Sequence, residues 1–173
     1  MATYKKANLP TAGVINELKG YAQTIAAYVG VPYNIIEGVI WQESKFDPTS
    51  YRYSQENHMD RSYGLMHIQW DFTPVTGVIR RGKVVQVDHP TDTGHELAKQ
   101  LGFDPGVMDA SWFYDPILNL YFGANLLKQL YRSYRNWTSV MNAYNTGSPD
   151  DFSTGYAQKV LTNAAREMRY YGI

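Results

Sequence analysis

The sequence predicts a mainly α, α+β fold: a single helical domain with a small β-hairpin. Apolar residues recur at spacings of three and four in several segments, as expected where one face of a helix is buried. One run of β-branched residues on both sides of a glycine predicts the hairpin. No linker, repeat or low-complexity segment divides the 173 residues, so one domain is predicted over residues 1–173.

The first two helices are predicted from their apolar stripes. The first should end at Gly30, since glycine tolerates the left-handed conformation that closes many helices. The second carries residues 35–43 and should stop at Asp47, because the residue before a proline disfavours helical geometry. The stripe of the first helix consists of Ile15, Leu18, Ala22, Ile25 and Val29.

Turn and cap residues organise the remainder of the chain. The polar stretch 51–61 is predicted to be a loop, and 78–87 to be the hairpin. Asp115 is a suitable N-cap, with Pro116 at the first position of a long helix. The predicted buried stripes are Ile117, Leu120, Tyr121, Ala124 and Leu127 in that helix, and Tyr156, Val160, Leu161, Ala164 and Met168 in the last one.

Glu43 is the candidate catalytic residue, because it lies at the end of an apolar helix. Ile36, Val39 and Ile40 precede it by seven, four and three residues, so all four side chains share one buried helix face. Burial and the negative end of the helix dipole are both expected to raise its pKa, as a general acid requires. Glu43→Gln should accordingly leave stability unchanged or higher.

Composition excludes several other functional classes. The formal net charge is zero, which argues against a nucleic-acid partner. Cysteine is absent, so no disulfide or thiolate metal site can form, and no apolar run is long enough for stable membrane insertion. His89 and His95 lack the spacing of a helical zinc pair. We therefore expect no metal and no cofactor.

Four short motifs occur in a fixed order: Glu43-Ser44, then S-Y-G-L-M-H-I-Q at 62–69, A-Y-N-T-G at 143–147, and Tyr156. Together they resemble the catalytic domain of lytic transglycosylases, the soluble type within the lysozyme-like superfamily, over about residues 30–165. The order of the motifs is specific, whereas each motif alone is weak. The resemblance implies a lysozyme-like fold with a glycan-binding groove.

The resemblance also implies an activity and a set of site residues. Such enzymes cleave the β-1,4 bond between N-acetylmuramic acid and N-acetylglucosamine in peptidoglycan, and form a 1,6-anhydromuramic end. Glu43 would be the single catalytic acid and base, in a monomer whose partner is the glycan strand. His67 departs from the family's usual glutamine. The implied substrate-binding residues are Ser44, Gly64, Leu65, Met66, His67, Gln69, Tyr144, Asn145 and Tyr156.

Two other functions remain open at this point. A goose-type lysozyme hydrolase of the same superfamily would need a second carboxylate, such as Asp60, to activate water. A catalytically silent glycan-binding or virion module would keep the fold without the chemistry.

The beginning of the chain leads to an expectation about its origin. Lys5 and Lys6 are not followed by the apolar stretch of a secretion signal. A wall-degrading enzyme without such a signal is expected to be a bacteriophage lysin. It would be made in the host cytoplasm and reach the cell wall through a membrane lesion or in the virion.

Overall fold

In the computed structural model, residues 10–54, 60–70, 78–80, 83–85 and 93–170 are described, and most of them are helical. The helices are α1 (Ala12–Val29), α2 (Tyr33–Glu43), α3 (Thr93–Gln100), α4 (Pro116–Tyr134), α5 (Trp137–Thr146) and α6 (Tyr156–Tyr170), with a short 3-10 helix at Ala110–Tyr114. The strands are β1 (Tyr51–Ser54), β2 (Asp60–Tyr63), β3 (Ile68–Gln69), β4 (Val78–Arg80) and β5 (Lys83–Val85).

The predicted helix ends are confirmed where capping residues define them. Helix α1 ends at Gly30, which takes the left-handed conformation with a φ of 80°. Helix α4 begins with Asp115 as its N-cap, and the Asp115 carboxylate accepts a hydrogen bond from the backbone N–H of Leu118. Pro116 follows at the first helical position, as expected.

Helices α2 and α6 form the central pair of the fold. Gly38 of α2 lies so close to α6 that a Cβ atom there would come within 2.7 Å of the Val160 carbonyl oxygen. This contact fixes the end of α2 beside the beginning of α6. It therefore brings Glu43, the last residue of α2, next to Tyr156, the first residue of α6.

The predicted loop at 51–61 is wrong, because β1 and β2 pair there as antiparallel strands and β3 extends the sheet. The register places Tyr51 opposite Tyr63, and their rings lie 5.2 Å apart. Tyr63 also packs edge-on against Tyr114. Cross-strand aromatic pairs stabilise a sheet even where the overall composition is polar. The predicted hairpin is confirmed in β4 and β5, which pair antiparallel.

The buried face of α4 differs from the predicted stripe. Leu120, Ala124 and Leu127 are fully buried as expected, but Ile117 is 50% exposed. Asn119 of this helix is buried in the core instead. Ile117 lies nearly on the opposite side of the helix from Asn119, so its side chain faces the exposed side. Helices α3 and α5 were not predicted, because their apolar stripes are short.

Asn119 links α4 to the glycine-containing turn after β2. Its Oδ1 atom accepts a hydrogen bond from the Met66 backbone N–H at 2.8 Å. Its Nδ2 atom donates to the backbone carbonyls of Tyr63 and Phe113, at 2.8 and 2.9 Å. The amide thus satisfies three backbone groups that would otherwise be buried without partners.

None of the helices in the described segments is long and apolar enough to cross a membrane.

Gly64→Ala should destabilise the protein, because Gly64 has a φ of 74° and an added Cβ would lie 2.1 Å from the Phe113 carbonyl oxygen. We expect the free energy of unfolding to fall by about 3 kcal/mol. Gly102→Ala is the matched control: its φ is 83°, but nothing lies within 4 Å of the added atom. That variant should lose only about 1 kcal/mol. Urea unfolding of both proteins measures the difference, and equal losses would contradict the steric argument.

Candidate active site

The Glu43 carboxylate lies between a tyrosine and a histidine. Its Oε1 atom accepts a hydrogen bond from the Tyr156 hydroxyl at 2.5 Å. Its Oε2 atom lies 2.8 Å from Nδ1 of His67. The Glu43 side chain is 9% exposed. A nearly buried carboxylate with two polar contacts is therefore the centre of the site.

The chain leaves α2 abruptly after Glu43. The backbone N–H groups of Ser44 and Lys45 both donate to the Ile40 carbonyl oxygen and close the last helical turn. Lys45 and Phe46 then take left-handed conformations, with φ values of 57° and 64°. Phe46 is fully buried, which helps to hold this uncommon backbone geometry.

His67 is held in place from both sides of its ring. Its backbone follows the Gly64 turn and takes a φ of 48°, and its N–H donates to the Gly64 carbonyl oxygen. Its Nε2 atom lies 2.8 Å from the Ser50 hydroxyl, while Nδ1 faces Glu43. The imidazole thus connects Ser50 to the candidate acid.

Two tyrosines of the motif set form one wall beside Glu43. The rings of Tyr144 and Tyr156 stack with centroids 6.4 Å apart and planes inclined by 15°. The Tyr144 hydroxyl donates to the Met66 carbonyl oxygen at 2.6 Å. Burial, followed by the charge of Glu43, raises the pKa of both tyrosines well above its ordinary value. Both therefore stay neutral and remain hydrogen-bond donors.

The expected rise in the pKa of Glu43 is wrong. Burial does raise the pKa, and it is the largest single influence, but the contact and the charge of His67 oppose it. The Tyr156 hydrogen bond and the charge of Arg52 act in the same direction as His67. Together they hold the pKa below its ordinary value, so the resting carboxyl is ionised at neutral pH. The sequence pattern indicated burial correctly but could not show the partners.

The side chains of Ser44, Leu65 and Met66 are buried. Ser44 is buried, and its hydroxyl donates to the Ile40 carbonyl oxygen rather than to Glu43. Leu65 and Met66 are fully buried side chains of the core, and Gly64 permits close approach of Phe113 and Asn119. A role for Ser44, Leu65 and Met66 in binding substrate stays a prediction. The backbone of the G-L-M segment at 64–66 carries His67 and binds Tyr144.

Gln69 and Asn145 lie farther along the same motifs. Gln69 is half-buried in β3, opposite Ser62 in the sheet. The Asn145 Nδ2 atom donates to the Thr154 hydroxyl at 3.1 Å, across the loop that leads into α6. Neither residue contacts Glu43, so a role in binding substrate stays a prediction for both.

Sequence reasoning missed Ser50, Arg52 and Asn119. Ser50 holds His67, Arg52 acts on Glu43 by its charge, and Asn119 fixes the turn before His67. No short motif marks these residues. The contacts of Ser50 with His67 and of Asn119 with Tyr63 join residues that lie 17 and 56 positions apart.

The other acidic candidates have ordinary structural roles or lie outside the description. Asp47 accepts hydrogen bonds from the backbone N–H and the hydroxyl of Thr49, so its carboxylate stabilises the turn after α2. Asp60 begins β2, but its side chain lies outside the described part of the chain. His89 and its neighbours lie outside it as well. Within that part, no cluster of three potential metal ligands occurs.

Comparisons with known proteins support the resemblance seen in the motifs. The family model described as "Transglycosylase SLT domain" matches residues 85–160, which include the A-Y-N motif and Tyr156 but not Glu43. A search of curated protein sequences found no match.

Two solved structures share the fold. Lytic transglycosylase Slt from Pseudomonas aeruginosa, solved as an inactive mutant, is 18% identical, with a TM-score of 0.64 over 95% of this chain. The 70 kDa soluble lytic transglycosylase from Escherichia coli is 20% identical, with a TM-score of 0.63 over 95% of this chain. The chain spans about a quarter of each of these proteins, since 25% of each is covered. The predicted mainly α, lysozyme-like fold is thereby confirmed.

Glu43→Gln should now reduce stability at neutral pH, contrary to the expectation from the sequence. A carboxyl whose pKa is lower in the folded state stabilises the fold above its unfolded pKa of about 4.3. This contribution is lost as the pH falls through the lower, folded pKa. The difference in unfolding free energy between wild type and variant should be about 1 kcal/mol near pH 7 and shrink toward pH 3. Urea unfolding across this range measures it, and a pH-independent difference would contradict the ionised state.

Proposed function

We propose that the protein degrades bacterial cell wall by cleaving the glycan strands of peptidoglycan, because residues 85–160 match the SLT transglycosylase domain and the fold is similar to that of two lytic transglycosylases. The observation that supports this proposal is the position of Glu43. It is a nearly buried carboxylate at a helix end, held by Tyr156 of the last motif. Residues from all four motifs thus lie at or next to one carboxylate.

We propose that the bond cleaved is the β-1,4 link from N-acetylmuramic acid to N-acetylglucosamine. Glu43 first donates a proton to the leaving glycosidic oxygen as the bond to the sugar carbon breaks. Its carboxylate then accepts the proton of the muramic 6-hydroxyl as that oxygen bonds to the same carbon. The product is a 1,6-anhydro ring, and the internal hydroxyl is favoured over water by proximity.

The contacts of Glu43 support a mechanism with one carboxylate. Among the side chains that the structure describes, its hydrogen-bond and ion-pair partners are Tyr156 and His67, and neither is a second acid. Ordinary glycosidases need two carboxyl groups flanking the bond. The Pseudomonas relative of the same fold was solved as an inactive mutant in which glutamine replaces a glutamate. A single essential glutamate fits both observations.

The hydrolase remains the second candidate because Asp60 begins β2, which ends at the turn carrying His67. An ionised Asp60 that activated water would give a reducing muramic end instead of an anhydro ring. A silent glycan-binding or virion module would give neither product. Phage origin and the route to the wall stay predictions from the sequence.

Glu43→Gln should reduce lysis of purified peptidoglycan by at least about 100-fold, because glutamine cannot transfer the proton. Glu96→Gln is the matched control, since Glu96 is exposed on α3 and pairs with Lys99. That variant should retain wild-type activity. Turbidity loss at equal protein concentration measures both. Full activity of Glu43→Gln would place the acid elsewhere, and no lysis by wild type would favour the silent module.

The released muropeptides should carry anhydro ends that are lighter by one water than hydrolysis products and have no reducible sugar terminus. Mass spectrometry before and after borohydride treatment measures both properties. Asp60→Asn should leave the products and their rate of release unchanged. Products with only reducing ends, lost in Asp60→Asn, would establish the hydrolase and exclude the transglycosylase.

A further inference from the structure

One face of the small sheet continues the candidate site away from Glu43. Ser50 contacts Nε2 of His67 at 2.8 Å and directly precedes β1, and its carbonyl oxygen accepts the Gly64 N–H. Side chains alternate between the two faces of an extended chain, so Arg52 projects from the same face as Ser50. That face is the one turned toward the candidate acid.

The register of the strands extends this face into a polar row. Arg52 lies opposite Ser62, and Ser62 lies opposite Gln69, so the three side chains share one face of the sheet. All three are half-buried. The neighbouring positions, Tyr63 and Ile68, are buried on the other face. The sheet thus packs one face against the core and turns the polar row toward the site.

Arg52 is the charged member of this polar row. Its positive charge acts on both Glu43 and Tyr156, the two partners of the hydrogen bond at the centre of the site. Among the residues that the structure describes, none forms a hydrogen bond or an ion pair with the Arg52 guanidinium. A guanidinium keeps its charge at any physiological pH, and its planar fork of N–H donors fits a carboxylate. The donors of Arg52 are therefore available to an anionic ligand.

The proposed substrate brings a negative charge to this position. N-acetylmuramic acid carries a lactyl ether that ends in a carboxyl group, and it is the sugar whose bond Glu43 would cleave. In a bare glycan strand this carboxyl is a free carboxylate, whereas in intact wall it is joined to a stem peptide with carboxylates of its own. Either carboxylate would be repelled by the ionised Glu43 unless a cation lay close to both. Arg52 is a cation in the required place.

We propose that Arg52 binds the carboxylate that a muramic residue carries on its lactyl ether or its stem peptide, and thereby selects this sugar at the bond to be cleaved. The inference rests on the proposed function, because it names the substrate group that the same site takes. N-acetylglucosamine has a hydroxyl where muramic acid has the lactyl ether, so Arg52 distinguishes the two sugars by charge. Ser62 and Gln69 place neutral polar side chains on the same face.

The test is calorimetric binding in the Glu43→Gln background, which prevents cleavage during the titration. This background also removes the carboxyl on which Arg52 acts by charge, so any remaining effect of Arg52 reflects its contact with the ligand. The ligands are tetrasaccharides of alternating N-acetylglucosamine and N-acetylmuramic acid. One has free lactyl carboxylates, one has the same groups converted to neutral methylamides, and one has stem peptides attached.

Arg52→Gln should weaken the binding of a carboxylate-bearing oligomer by about tenfold, because a charge-assisted hydrogen bond is lost, and leave the binding of the methylamide unchanged. An effect on the free acid identifies the lactyl group, and an effect confined to the peptide-bearing oligomer identifies the stem. Arg52→Lys keeps the charge without the planar fork and should lose less affinity. Arg52→Met replaces the glutamine variant if that one does not fold.

Arg61→Gln is the matched control, because it removes the same charge from the other face of the same sheet. Arg61 lies opposite Tyr53, with its guanidinium 5.6 Å from the centre of the Tyr53 ring. This variant should bind all three oligomers as its parent does. No preference of the parent for a carboxylate over the methylamide, or an equal loss of affinity for all three oligomers in Arg52→Gln, would overturn the proposal.

The result is distinguishable from a failure of the proposed function. Lysis of peptidoglycan by wild type, together with unchanged binding in Arg52→Gln, would keep the lytic function and reject the role of Arg52. A carboxylate preference that depends on Arg52, in a protein whose wild type lyses no cell wall, would keep the role of Arg52 and reject the lytic function. Failure to bind any of the oligomers would reject the role of Arg52.

Discussion

The close contact between α2 and α6 is the constraint on which the site depends. Gly38 lets the two helices approach until its Cα faces the backbone of Val160. Since α2 ends at Glu43 and α6 begins at Tyr156, this approach sets the hydrogen bond between them. A larger residue at position 38 would separate the helices and lengthen that bond. The packing of these two helices therefore also determines the geometry of the candidate acid.

A second constraint fixes the opposite side of the carboxylate. Asn119, buried in α4, binds the backbone on both sides of the Gly64 turn, and this turn presents His67. The motif residues Leu65 and Met66 contribute packing, and the Met66 carbonyl also accepts the Tyr144 hydroxyl. The G-L-M segment is thus a support that orients its neighbours.

The ionisation of the Glu43 carboxyl depends on the residues that contact it from these two sides. Burial alone would favour the neutral carboxyl, but His67, Tyr156 and Arg52 all favour the charged form, and their sum prevails. The same contacts that orient the carboxylate therefore ionise it at rest. In a proposed reaction that begins with proton donation, orientation and proton supply oppose one another.

The sequence by itself determined the local features of this protein: the helices whose stripes and caps are continuous in the chain, the hairpin, and Glu43 at a buried helix end. The periodicity and capping of a helix depend on residues a few positions apart, so both can be predicted directly from the sequence. Tertiary structure alone decided the pairing of Tyr51 with Tyr63, the inward turn of Asn119, and the contact of His67 with Glu43. These depend on distant segments meeting in space. The sign of the Glu43 pKa shift belongs to this second group, because it is a balance of partners that only the fold brings together.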